Sequence, residues 1–216
     1  MAVSAIISGG AAEIEFIGSA NSDTNGSPYS LGSFNYDGGT IIAAIAHNQG
    51  ITTAVTIGGE AANSVVTMDD NTNALSCDIW KVSGSPAKTG ASVAVTLSGS
   101  PLNCYVALYR LRKLRSQTAT ESNSARSGGA VGNAALTSFD ISADGVCLSV
   151  AAAWNNVPTG EDWTYPTEDD AQDVGSELRA TAASIATPTV FSGTILTIFT
   201  GFGAGTTKTI AAASFR

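Results

Sequence analysis

The run TIIAAIAHN (40–48) is matched 106 residues later by VCLSVAAAWN, which begins at Val146. Each is a largely apolar segment of strand length. Each is entered through an Asp-Gly turn, Asp37-Gly38-Gly39 in the first and Asp144-Gly145 in the second, with Phe34 and Phe139 just upstream. Working outward, CDIWKVSGSP (77–86) aligns with RATAASIATP (179–188), and SVAVTLSG (92–99) with TILTIFTG (194–201). YVALYRLR (105–112) aligns with TIAAASFR (209–216). The offset holds at 105–106 residues, falls to 102 after a short deletion and returns to 104. Residues 34–112 and 139–216 therefore read as two copies of one run of strands.

The local signals agree. EIEFIG (13–18) alternates acidic and apolar side chains, as a half-buried strand at a sheet edge does. TAVTI (53–57) and ANSVVTM (62–68) flank Gly58-Gly59, and a two-residue link of this type suits a hairpin because both glycines accept positive φ. The DDNTN loop (69–73), GSP (99–101) and the glycine-rich GFGAGTTK (201–208) read as turns. Short strands with turns every eight to twelve residues point to an all-β fold. The expectation is a single-domain, two-sheet, jelly-roll-like β-sandwich built from two pseudo-repeated halves. One copy is expected to give an open sheet with one apolar face, which the other copy covers. Three segments have no evident counterpart: a lead-in (1–33), a basic and polar crossover (113–138) and an acidic insertion (155–173).

Composition narrows the function. The chain has 216 residues, of which 44% are hydrophobic and only 13% charged, which excludes a disordered chain. Its net charge of −8 argues against nucleic acid and anionic membranes as partners, since both require clustered Lys and Arg. No apolar run is long enough for a membrane span, and the first residues lack the layout of a secretory signal. Synthesis in a cytosol is the expectation.

Few residues are candidates for chemistry. The single His47 ends an apolar strand without a GxSxG motif near any serine, so a hydrogen-bonded structural role is expected. GSPAKTG (84–90) places Lys-Thr wrongly for a phosphate loop. Glu13 and Glu15 share a strand face and resemble solvated edge charges more than a glycosidase pair. Cys77, Cys104 and Cys147 lie in predicted strands as small hydrophobes, although their odd number leaves an intermolecular disulfide open. No cofactor or metal is implied.

Two charged segments stand out. The acidic insertion carries Glu161, Asp162, Glu168, Asp169, Asp170 and Asp173, with Trp163 and Tyr165 at alternate positions. These residues could form a solvated loop, or a carbohydrate or ion site with the aromatics as a stacking platform. The stretch 110–133, which runs into the crossover, carries Arg110, Arg112, Lys113, Arg115 and Arg126, half of the ten basic residues. It is either a solvated linker or a contact to the acidic loop of a neighbouring copy. Candidate partner contacts are thus Trp163, Tyr165, Glu161, Asp162, Asp169, Asp170, Arg112, Lys113 and Arg115.

Four segments, Thr53–Ala62, Ile79–Val82, Val93–Gly99 and Cys104–Leu111, resemble in strand texture a β-sandwich domain of bacteriophage structural proteins. The resemblance spans most of the chain after residue 34 and contains no invariant motif, so no functional residue carries over. It implies a non-enzymatic virion component: a capsid decoration protein, head fibre or tail fibre. Its partners would be other virion proteins, copies of itself and, for a tail fibre, glycans. A receptor- or sugar-binding module and a sandwich-fold glycan hydrolase or lyase are the alternatives.

Overall fold

The computed structural model describes residues 10–24, 26–68, 75–99, 102–127, 133–154, 160–200 and 206–216. The turns expected at 69–73 and around 100 and 201–205 lie wholly or partly outside the described residues. Within them the chain forms seventeen strands and no helix. In order these are β1 (Glu13–Ser22), β2 (Tyr29–Tyr36), β3 (Gly39–Asn48), β4 (Thr52–Ile57), β5 (Glu60–Ala61) and β6 (Asn63–Val66). Next come β7 (Leu75–Ser85), β8 (Lys88–Leu97), β9 (Cys104–Arg112), β10 (Glu121–Ser127), β11 (Asn133–Ile141) and β12 (Gly145–Trp154). The last five are β13 (Gly160–Tyr165), β14 (Thr167–Val174), β15 (Leu178–Thr187), β16 (Phe191–Thr200) and β17 (Thr207–Phe215).

The chain is all-β and its antiparallel sheets pack face to face as β-sandwiches. The first copy forms two sheets, β1-β9-β3-β7-β6 and β2-β8-β4-β5. The second forms β10-β17-β12-β15-β14 and β11-β16-β13. Each copy is thus a two-sheet sandwich in its own right, and the two large sheets then stack on each other, so the layers number four. The reason lies in the opening run. β3 and β12 are each buried at nine of ten positions, and a strand buried on both sides needs a layer on each side. β8 supplies one such layer, alternating buried Val93, Val95 and Leu97 with half-buried Ser92, Ala94 and Thr96.

Three cores result. Tyr29, Leu31, Phe34, Val93 and Val95 meet Ile41, Ile45, Val106 and Leu108 inside the first sandwich. Leu136, Phe139, Ile141 and Ile195 meet Ala151, Ala183 and Ile210 inside the second. Between the sandwiches lies a seam where Ile42, Ala44, Cys77, Ile79, Tyr105 and Tyr109 face Leu148, Val150, Ala152, Ala180, Ala211 and Phe215. The alanines let the two sheets approach closely.

The duplication reaches further than the sequence reveals. Strand order is the same in the two large sheets, with β1, β9, β3, β7 and β6 replaced by β10, β17, β12, β15 and β14. Register is preserved as well. Thr40 pairs with Leu111 and Val146 with Phe215, a displacement of 106 and 104 residues. The lead-in and the crossover therefore hold equivalent edge strands, β1 and β10, and the acidic insertion holds β13 and β14, equivalents of β4 and β6. β10 escaped detection because ESNSARS has no apolar face; it is held by backbone pairing to β17. β1 packs near β14 and β10 near β6, with β3 on β12, which is the contact pattern of an approximate two-fold axis through the seam. The turn into the central strand is conserved in conformation too: Gly38 has φ 82° and Asp144, its counterpart, φ 57°. Asp tolerates that left-handed position better than most side chains.

Candidate functional site

The acidic segment does not hang in solvent. A β-bulge between Glu168 and Asp170 breaks the pairing of β14 with β15. A bulge interrupts side-chain alternation, so the consecutive Asp169 and Asp170 both reach the seam. The Tyr109 hydroxyl donates to Asp169 Oδ2 at 2.9 Å, and the Tyr105 hydroxyl to Asp170 Oδ2 at 2.9 Å. Gln172 donates to the other Asp170 oxygen at 3.1 Å. Asn103 Nδ2 adds a bond to the Val174 carbonyl at 2.7 Å. This polar flank joins the two sandwiches where alanines cannot. Burial next to the acids pushes both tyrosine hydroxyls well above their ordinary range.

Burial raises the Asp169 carboxyl, hydrogen bonds from Ser184 and Tyr109 oppose the shift, and the Asp170 charge adds to it. Glu168 is also raised, by burial and by Glu161, against Thr181 and Arg179. A carboxyl raised in the folded state holds its proton more tightly there than in the unfolded chain. Stability therefore falls as pH rises from the ordinary value to the raised one, and is greatest below that window. Asp169→Asn keeps an oxygen for Tyr109 and removes the charge. Between about pH 4 and pH 7 its melting temperature is expected to fall less than that of the parent protein. Equal pH slopes for the two proteins would refute this.

Trp163 and Tyr165 are not an exposed stacking platform. Trp163 is buried in the core of the second sandwich and donates Nε1–H to Thr181 Oγ1 at 3.0 Å. Tyr165 stacks on Phe191, with ring centroids 4.1 Å apart and planes 12° from parallel. Glu161 accepts two bonds from Arg179, from Nε and Nη2, both at 2.6 Å, and its side chain is only 4% exposed. Asp173 takes Arg179 Nη1 at 2.9 Å. Asp162 is exposed and borders a shallow cleft of about 370 Å³ between Glu161 and Glu168. The alternation W-T-Y signalled a platform, but the strand turns Trp163 inward and Phe191 occupies the face of Tyr165.

The basic segment is likewise neutralised within the chain. Arg112 Nε lies 3.3 Å from Glu13, Lys113 pairs with the same carboxylate, and Arg115 lies 3.8 Å from Asp144. Glu13 is held below the usual carboxylate range chiefly by its hydrogen bond to Lys113. Within the chain Arg112 and Lys113 are met by β1, because β9 and β1 are neighbours and place Glu13 opposite Arg112. Glu13 and Glu15 serve these cations and do not face one another across a cleft.

His47 is buried and hydrogen-bonded, as its sequence context indicated. Its Nε2 lies 2.9 Å from Thr52 Oγ1 and 3.3 Å from Asp78 Oδ2, and Asp78 Oδ1 accepts the Met68 N–H at 3.0 Å. Asp78 and Thr181 occupy equivalent positions, opposite Ile45 and Ala151. Each copy is therefore pinned between its sheets at the same level, one by a His–Thr–Asp cluster and the other by Trp163, Thr181 and Glu168. Cys77, Cys104 and Cys147 are free and fully buried. Burial pushes all three thiols up, Cys147 to about 12. They have no surface from which to form an intermolecular disulfide. Among the described residues no cluster of three or more metal-capable side chains occurs.

Three important residues were missed in the sequence, Tyr105, Tyr109 and Arg179, and Arg110 was noted only as one of the basic residues. The spacing of the two tyrosines on one strand face was visible. Their carboxylate partners, 65 and 60 residues away, were not. The fold and these contacts define a tandem β-sandwich locked by internal polar bridges. No protein-family model matches the chain, nor does any curated protein or solved structure compared with it.

Proposed function

We propose that this chain is a non-enzymatic structural component of a phage particle that decorates or stabilises the capsid exterior. One observation carries the reading. The charged side chains that could have formed a loop site are instead used inside the fold: Asp169–Tyr109 and Asp170–Tyr105 weld the two sandwiches into one block, and Glu161–Arg179 ties the two sheets of the second. A rigid block suits a protein whose task is to pack against others. Its outer sheet face also fits that task. Ser30, Ser33, Asn35, Thr53 and Ala54 are exposed on β2 and β4, small and uncharged in a chain of net charge −8. Such a face can meet a neighbour without desolvating charge. The strand texture shared with phage sandwich domains supports the same reading.

The test is co-sedimentation of the purified protein with expanded capsids and, separately, with tails. Saturable pelleting with capsids is the expected result. Protein left in the supernatant with both particles would overturn the proposal, and pelleting with tails alone would replace capsid decoration by a tail role.

A further inference from the structure

We infer that the first sandwich carries a binding site for a neutral saccharide, in the cleft where the edge strands β1 and β2 part from one another. The opening follows from the backbone. β1 is bulged between Phe16 and Gly18, and β2 between Leu31 and Phe34 and again between Phe34 and Tyr36. Edge strands bulged in this way leave a gap of about 270 Å³ between the two sheets.

The lining is dense in hydrogen-bonding groups: Glu15, Asn35, Asp37, Lys88, Thr89 and Arg110, with Ile17 as an apolar wall. Arg110 is the central group. Its side chain is only 10% exposed, and Nη1 lies 3.2 Å from Asp37 and 3.5 Å from Glu15. Its buried Nε has no acceptor. A guanidinium held this deeply normally has its donors met.

The duplication provides an internal control. A cleft of about 480 Å³ opens near the corresponding place in the second copy, lined by Asp140, Ile141, Ser142, Val190 and Arg216. There Ser214 stands where Arg110 stands, and donates to the Asp140 carbonyl at 3.0 Å. Glu121, the counterpart of Glu15, accepts the Asp140 N–H at 2.7 Å. Phe191 pairs with Ile141 as Lys88 pairs with Tyr36, and Val190 beside it is 68% exposed. The fold thus makes the opening twice. In the second copy Ser214 and Glu121 bind backbone, whereas the first lines the opening with Arg, Lys and two carboxylates.

Charge selects the ligand class. Arg110 is balanced by Asp37 and Glu15, and Lys88 lies 3.4 Å from Glu60. Asp37, 89% exposed, stands at the mouth and repels anions. A sugar hydroxyl both donates and accepts, so it can bridge a paired carboxylate and guanidinium without separating them. The apolar wall suits the C–H face of a pyranose ring.

The test is an amide-shift titration of the whole protein with methyl glucoside, methyl galactoside and methyl mannoside. Sodium acetate, sodium sulfate and glycine are titrated in parallel. At least one glycoside is expected to give saturable, millimolar shifts at Asn35, Asp37, Lys88 and Thr89, unchanged by added salt. Asp37→Ala and Lys88→Ala, both at solvent-accessible positions, are expected to weaken that binding about tenfold or more. Absence of saturable shifts with all three glycosides would overturn the inference. So would unchanged affinity in both variants, or saturation by acetate, sulfate or glycine instead. This result is independent of whether the protein binds capsids.

Discussion

Arg179→Met is expected to lower stability by about 3–5 kcal/mol, because it strands the Glu161 carboxylate in the interior without its counter-ion. Glu161 sits on β13 and Arg179 on β15, so the pair bridges the two sheets of the second sandwich, with side chains 4% and 18% exposed. Both Glu161 oxygens receive bonds from the guanidinium at 2.6 Å, and bidentate geometry of this kind is the strongest form of the interaction. Asp173, whose side chain is 56% exposed, contributes little by comparison. A chain of this size loses roughly 2–4 °C of melting temperature per kcal/mol, so a fall of roughly 6–20 °C is expected. The double variant Glu161→Gln/Arg179→Met removes the buried charge as well and is expected to recover much of that loss. Equal melting temperatures for the parent and Arg179→Met would show that Glu161 is not held in the interior by this pair.

Ala152→Phe is expected to be the most disruptive change in the seam. Ala152 is fully buried on the face of β12 that meets the first sandwich. Its neighbours in the sheet are Ala180 and Thr209, both small. A benzyl group has no space there unless the two large sheets separate. Overpacking a well-filled core costs about 1–3 kcal/mol, and a sheet-to-sheet seam with little freedom belongs at the upper end. The companion change Ala61→Phe, on exposed β5, is expected to leave the melt almost unaltered. A thermal melt unchanged by Ala152→Phe would contradict the close approach of the sheets.

What was legible in the sequence follows from how each feature is encoded. Alternation and turn residues announced β8 and the Gly58-Gly59 hairpin, since these depend on local pattern. The repeat announced itself because the central strands are apolar on both faces. That same property held the sign of a further layer on each side: an open two-layer sheet would show alternation in TIIAAIAHN, and there is none. β10 and β14 were hidden because they are polar edge strands secured by backbone hydrogen bonds. The bulge at Asp169 was hidden as well, and it decides that the acids bind Tyr105 and Tyr109 instead of solvent. Trp163 misled for a related reason, since its spacing from Tyr165 fits an exposed face and a buried one equally well.

The two sandwiches form one cooperative block, welded by the alanine seam and its Tyr–Asp flank. Native-state amide hydrogen exchange tests this most directly. Amides in β3 and β9 of the first copy and in β12 and β17 of the second are expected to exchange only through global unfolding, with a common free energy. A separate, lower-energy opening of either copy would contradict the welded block, and with it the reading of this chain as a rigid structural component.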